Sequence, residues 1–352
     1  MQKPMRNRRH FIKNLSVLST GSIWLSSVVG MTALQSCSTI DEQLITDPSD
    51  LGDTVIIIGG GITGMYAAYQ LRKRKIPYRI FEASSRLGGQ ILSDQDYEYG
   101  AFEFLNSDTN LLALAKDLNL KIEKIDTKSW VFKNGTNDLL NQMVERIGGV
   151  LPLQQIRLKN KLIQYQMTGN KFKVTFATES SDKIYKSSKI LLALPAEKLF
   201  QIKGLFESSV DSEFQRQRHT RIVFPLSKLS SRGLAFKSKM GVLDHVQYSA
   251  RVVRNMVYVD LKGSEAALNY PLEVEKLSSW VSEKVLDLPK LNLQLQPENI
   301  FIWNHSVLLK SDLELKMNSQ KNSLIISDGI VSPQNRIESL LVSVNQQIDE
   351  FL

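Results

Sequence analysis

The sequence predicts an α/β chain built around a doubly wound nucleotide domain. Two observations carry that reading. The stretch "TVIIIGGGITGMYAAYQL", Thr54 to Leu71, sets a β-branched run, a glycine-rich turn and a helical pattern in immediate succession. A second short strand, "YRIFEA", follows and ends at Glu82, 18 residues beyond Gly64.

Val55 to Ile58 suits a strand buried on both faces. Gly59, Gly61 and Gly64 form a G-x-G-x-x-G pattern. In such a turn the first glycine permits the tight bend. The second lets the backbone approach a pyrophosphate, and the third lets the helix pack closely on the strand. Ile62 to Lys73 reads as the helix, with its first amides facing the phosphates. Glu82 sits where a carboxylate accepts the hydroxyls of an adenosine ribose. The pattern alone is weak evidence. Its place after a strand, before a helix and ahead of Glu82 makes it strong. NAD and FAD both satisfy this geometry.

Length and charge bound the alternatives. The chain has 352 residues, enough for one large domain or two smaller ones. Its formal charge is +8, but Lys3, Arg6, Arg8, Arg9 and Lys13 lie within the first 36 residues, which hold no Asp or Glu. The remainder carries only +3, which is not the basic footprint of a nucleic-acid binder. Cys37 is the only cysteine, so neither an internal disulfide nor a cysteine-based zinc site is available. His10, His219, His245 and His305 are scattered without metal-ligand spacing and read as ordinary surface or core histidines. No metal site is expected.

The N-terminus reads as an address. "NRRHFIK" resembles the twin-arginine export signal, with Asn7 in place of the usual Ser or Thr. Leu15 to Leu34 is apolar but diluted by Ser, Thr and Gly. A permanent membrane helix is the alternative, since the length nearly suffices. The positive start and small-residue end favour a processed signal over residues 1–36. Leu34-Gln35-Ser36-Cys37 resembles a lipoprotein cleavage box, which makes Cys37 the lipidated residue. Residues 37–52 are polar and acidic and read as a tether. The expected location is lipid-anchored on the periplasmic or cell-surface side of a membrane.

Beyond Glu82, "EASSRLGGQI" resembles the E-x-x-x-R-x-G-G-R signature of the flavin amine oxidase superfamily. Glu82, Arg86, Gly88 and Gly89 match. Gln90 stands where the family has an arginine that contacts the pyrophosphate; an amide still donates a hydrogen bond but brings no charge. The resemblance implies FAD as the cofactor. It puts Gly100, Ala101 and Glu103 of "YEYGAFEF" near the flavin ring, and the backbone of Leu162 against the adenine. In "NSLIISDGIVSPQNRIESLLVSVNQQI" it gives Asp328 to the ribityl chain and matches Glu338 and Ser343. The resemblance also implies that Ser339 stands at a helix start whose amides face a flavin carbonyl, and that Leu340, in place of a usual alanine, would crowd the ring. The implied fold is a Rossmann-like FAD-binding domain interrupted by a mixed α/β substrate domain. FAD-binding parts then span 53–107, 140–199 and 310–352. A helical substrate-domain segment spans 108–139, and the substrate domain proper spans 200–309.

Residues 164–184 read as a hairpin, and "ILLALP" as a buried strand ending at Pro195. "LAFKSKMGVLDHVQYSARVVRNMVYVDL" reads as antiparallel strands. "LEVEKLSSWVSEKVLDL" reads as one amphipathic helix, with Leu272, Val274, Leu277, Trp280, Val281 and Val285 on or near one face. Catalysis in the family needs orientation of an amine-like substrate against the flavin, often with a lysine nearby. Lys310 is one candidate among several. No Phe, Tyr or Trp occurs between Trp303 and Phe351, where the family carries an aromatic pair. The leading expectation is an exported FAD-dependent oxidoreductase that passes a hydride from an amine-like substrate to flavin, with oxygen as acceptor. The second is a flavin-binding relative without oxidase activity, acting as a membrane-anchored interaction protein. An NAD(P)-dependent oxidoreductase ranks behind both.

Overall fold

The computed structural model describes residues 49–352, apart from 94–96, 101–102, 149–154, 200, 206–213, 230–238, 244–245, 265–273, 289–292, 297–298, 309–321 and 327–336. The signal and most of the tether, with Cys37, lie outside the described residues, as do Ala101, Asp328 and Lys310.

The chain turns back and forth around β1 (Val55–Ile58). Its four residues are fully or almost fully buried. β1 pairs in parallel with β2 (Tyr78–Phe81) on one side and β10 (Ile190–Leu192) on the other. β6 (Ile156–Arg157) and β16 (Ser323–Ile325) complete a five-stranded sheet in the order β16-β10-β1-β2-β6. The strand order reverses at β1, so the crevice beyond its C-terminal end is a ligand site by topology.

Alternate residues of β1 serve two cores. Val55 and Ile57 face helices: α1 (Ile62–Lys73), α2 (Thr109–Asp117), α3 (Thr136–Gly148) and α5 (Ile337–Phe351). Ile56 and Ile58 face an antiparallel sheet of β7 (Lys161–Thr168), β8 (Lys171–Ala177) and β9 (Lys183–Ser187). The layers are therefore helix, parallel sheet, antiparallel sheet. The hairpin expected at 164–184 is the β7–β8 pair, turned at Gly169 in a left-handed conformation, with β9 added as a third strand.

The segment 108–139 departs from expectation. It is not wholly helical, since β4 (Ile122–Lys124) and β5 (Ser129–Phe132) join β3 (Glu103–Leu105) in a small antiparallel sheet. Its helix α2 packs against α5, and Leu111, Leu114 and Leu118 enter the same core as α1. Apolar spacing announces a helix, but tertiary packing decides which core receives its face.

A second unit is a five-stranded antiparallel sheet in the order β12-β13-β14-β11-β15. Its strands are β11 (Phe214–Pro225), β12 (Lys239–Leu243), β13 (Val246–Val253), β14 (Met256–Ser264) and β15 (Ile300–Leu308). One face, with Ile222, Phe224, Ala250, Val257 and Val259, is covered by α4 (Val274–Trp280). The single amphipathic helix expected there changes pitch at Val281–Val285, a π-helical turn. The Ser282 hydroxyl donates to the Ser278 carbonyl at 2.9 Å, an intrahelical bond that competes with the regular ladder. Leu277, Val281 and Val285 still reach the core, as the apolar stripe predicts. The opposite face carries His219, Arg221, Val223, Tyr258 and Asp260 and looks toward β3 and β5.

Candidate cofactor site

Each glycine of the turn is required by different surroundings. A Cβ on Gly59 would overlap the Ala193 carbonyl at the exit of β10. A Cβ on Gly64 would overlap the carbonyl of Gly59, so Gly64 is what lets α1 lie on the turn. Gly61 is different. A Cβ there would meet only the Gly89 Cα at 3.9 Å, so the space in front of it is open. Gly61 also caps α1 and, as a glycine, brings no side chain to the first helix amides. The described residues thus present open backbone and helix amides where a pyrophosphate would lie, which fits a dinucleotide.

Glu82 stands at the edge of this space, half-buried just past β2. Its Oε2 accepts from the Gly60 amide at 2.6 Å and its Oε1 from the Ser84 amide at 2.8 Å. The carboxylate is aimed by backbone groups, yet each oxygen keeps accepting capacity for a ribose hydroxyl.

The loop after Glu82 folds onto the turn. The Gly88 amide donates to the Gly60 carbonyl at 2.8 Å, and Gly61 and Gly88 form an isolated β-bridge. Gly89 has a φ of 56° and lies against Gly61. Arg86 turns back on its own loop. Its guanidinium donates to the carbonyls of Leu87, Ile91 and Gly89 at 3.0, 3.1 and 2.5 Å. It braces the loop from behind, and burial holds its pKa below the ordinary value. Gln90 follows on the exposed rim. Gly100 packs so closely on the Gln90 carbonyl that no Cβ fits, and its amide donates to the Leu92 carbonyl at 3.0 Å.

The remaining expected site residues have the following surroundings. Leu162 lies in β7 opposite Phe176, with its side chain in the core shared with Phe81, and a bulge follows it. Glu338 caps a neighbouring helix. Its Oε1 accepts from the Asn110 amide and side chain at 3.0 and 2.8 Å, and its Oε2 from the Leu111 amide at 2.9 Å. These are the orphan donors at the start of α2. Ser339 falls in the first turn of α5, half-buried. Leu340 is buried in the helical core.

A buried ionic cluster on the second sheet escaped the sequence reading. Asp260 accepts from Arg221 Nε at 2.6 Å and Nη2 at 3.2 Å, and lies 2.9 Å from His219 Nε2. Burial alone would raise its pKa, but the Arg221 charge and these hydrogen bonds hold it far below the carboxylate range. Arg251 pairs with Glu103 and approaches Asp260 at 3.7 Å. Arg221 Nη1 donates to the Gly100 carbonyl, joining the cluster to the nucleotide unit. Tyr99 stacks on Phe301 beside it, with ring centroids 3.6 Å apart. The available signal was a lone charge within each apolar strand, Asp260 in "MVYVDL" and Arg221 in "TRIVF".

Residues 57–118 match the family described as NAD(P)-binding Rossmann-like domain. A solved structure of a redesigned putrescine oxidase superposes on 85% of this chain and 98% of its own, with a TM-score of 0.62 at 11% identity. This chain therefore shares the fold of that oxidase. Two curated relatives are similar to parts of it. Protoporphyrinogen oxidase 2, chloroplastic/mitochondrial, of Arabidopsis thaliana is 28% identical over 97 residues, 25% of this chain and 19% of the relative. L-amino-acid oxidase 4 of Hebeloma cylindrosporum is 35% identical over 69 residues, 19% of this chain and 11% of the relative. The chain thus matches less than a fifth of the length of either. The likeness to the putrescine oxidase structure extends over 85% of the chain, whereas the Rossmann-like match ends at residue 118, before the second sheet.

Among the described residues no helix is long and apolar enough to cross a membrane, and no cluster of metal-ligating side chains occurs.

Proposed function

We propose that this chain is an FAD-dependent oxidoreductase acting on an amine-like small molecule. One observation carries the reading. The loop from Arg86 to Gly89 is pinned onto the glycine turn, so the residues that separate a flavin dinucleotide from a nicotinamide one form a single surface with the turn. The names of the similar proteins, a putrescine oxidase and an L-amino-acid oxidase, support an amine-bearing substrate. FAD supplies the hydride acceptor. The chain supplies the rest. Gly61 and the first amides of α1 hold the pyrophosphate, Glu82 holds the ribose, and Arg86 keeps the loop in place. The second sheet covers the reacting end and fixes the substrate's orientation.

Oxygen as electron acceptor, export by the twin-arginine route and a lipid anchor at Cys37 complete the proposal. A second reading, a flavin-binding protein without oxidase activity, is favoured by Gln90 and by the stretch without aromatic residues after Trp303. The experiment is a visible spectrum of the purified protein, followed by peroxide measurement with a panel of amines. A flavin spectrum with peroxide release is expected. A colourless protein that does not take up FAD sinks both readings, and a coloured protein without turnover favours the second.

A further inference from the structure

The outer face of the antiparallel sheet β7-β8-β9 carries charge that the fold leaves unbalanced. The three strands hold five lysines and no Asp or Glu. Phe172, Val174, Phe176 and Tyr185 turn into the core against the parallel sheet. Strand alternation puts Lys161, Lys171, Lys173 and Lys186 on the other face. Lys173 stands directly opposite Lys186 across β8 and β9, a like-charge pair that destabilises a sheet. Ile184, 43% exposed, lies on the same face. The nearby acids are engaged or sit at the rim. Asp50 accepts from Lys171 Nζ at 2.7 Å, Glu179 pairs with Lys159 at 2.9 Å, and Asp182 is exposed just before β9. Among the described residues no carboxylate lies within ion-pair reach of Lys161, Lys173 or Lys186.

Residues 49–51 lie at the edge of this face. The Lys186 amide donates to the Ser49 carbonyl at 2.7 Å, and the Leu51 amide donates to the Lys186 carbonyl at 2.8 Å. Asp50 and Lys186 thereby form a parallel bridge beside β9. Eleven residues, 38–48, separate Ser49 from Cys37. Such a length spans at most about 40 Å. A lipid on Cys37 therefore keeps a membrane within that distance of the lysine face, whatever course the tether takes.

We propose that the lysine face of β7-β8-β9 docks on an anionic phospholipid bilayer, the membrane that holds the anchor. This rests on the lipid at Cys37 proposed above. Lipid phosphates supply the counter-charges that Lys173 and Lys186 lack and relieve their mutual repulsion. The alkyl stems of the lysines and the exposed Ile184 rest in the headgroup layer, with the ammonium groups at the phosphates. The anchor attaches the chain, and the face fixes which side of it meets the membrane.

The test uses FAD-loaded full-length protein carrying Cys37→Ser, so that no attached lipid drives binding. Its co-sedimentation with vesicles of equal parts phosphatidylglycerol and phosphatidylcholine is compared with that on pure phosphatidylcholine, which measures what the signal segment contributes. Tighter binding to the anionic vesicles is expected, and it should fade in high salt. Adding Lys173→Gln and Lys186→Gln should weaken that binding roughly 30-fold, the scale of two lysines at an anionic surface, with the flavin spectrum unchanged. Lys116→Gln with Lys128→Gln removes the same charge from exposed positions on other elements and should leave binding close to the parent. Equal losses from the two pairs overturn the proposal, because net charge alone then explains the binding. Protein that does not distinguish anionic from neutral vesicles also overturns it. The mass of wild-type protein extracted from membranes reports the lipid on Cys37 by itself. A lipid present on a chain whose face ignores anionic vesicles refutes the docking and leaves the anchor standing. A missing lipid sinks the anchor and the docking together.

Discussion

Glu82 illustrates how one side chain serves both fold and ligand. Its carboxylate fixes the amides of Gly60 and Ser84 and still faces the open space before Gly61. Glu82→Ala should weaken FAD binding by about 2 kcal/mol, the scale of hydrogen bonds to a charged group. Fluorescence titration of the apoprotein measures this, and unchanged affinity would remove Glu82 from the site. Asp260 gives a stability prediction with a definite sign. Its folded pKa is depressed, so its contribution is fully present above its unfolded value of about 3.9 and fades only as pH falls through the folded value. Asp260→Asn leaves Arg221 buried without its counter-charge and should cost roughly 3–5 kcal/mol. Denaturant melts should show that deficit as constant from neutral to mildly acid pH, shrinking only in strong acid. A deficit that vanishes near the ordinary carboxylate range would contradict the cluster's geometry. Glu338→Ala is the contrasting case. It should destabilise α2 by about 1 kcal/mol, as the loss of a cap does, and leave FAD affinity alone.

At the scale of elements, the glycine turn separates folding from binding. Gly61→Ala places its methyl in open space at a helical N-cap with ordinary φ, so the apoprotein should melt as the wild type does and lose FAD affinity. Gly64→Ala forces α1 off the turn and should lower the melting temperature itself. Equal effects of the two on melting would contradict the close approach of helix and strand. The contrast also explains what was legible in the sequence. β1, the turn, α1 and β2 follow one another within 27 residues, and their signals are local: β-branched run, glycine spacing, terminal carboxylate. The Asp260 cluster was illegible because its partners come from β3, β11, β13 and β14 and meet only after the second sheet forms. The break after Trp280 was hidden for another reason. Apolar spacing persists through it, and the change of pitch shows in the Leu286 amide donating to the Val281 carbonyl five residues back and in the bond of Ser282 to Ser278. The roles of Glu338 and Leu340 depend on which helix α5 meets, and spacing along one helix is silent on that.

For the whole molecule, the nucleotide core and the proposed export route constrain each other. FAD is made inside the cell, and the described site is assembled from parts distant in sequence. Glu82 and the turn lie in one segment, the Gly100 contact reaches β11, and α5 closes the helical layer from the far end of the chain. An unfolded chain cannot hold a cofactor at such a site, so under the proposed export a cofactor-bearing form would cross the membrane folded. The twin-arginine route carries folded proteins, which is the role that Arg8 and Arg9 resemble. Replacing both with lysine keeps the charge and removes the planar guanidinium pair. Unprocessed, flavin-loaded precursor should then accumulate in the cytoplasm, seen by fractionation and immunoblotting. Cys37→Ser should act later, giving export without a lipid and a protein released by washing the membrane. Normal export of the double-lysine variant would refute the route. Gly64→Ala adds the link between site and route: if folding around the cofactor is a condition of export, that variant should stall in the cytoplasm with an intact signal.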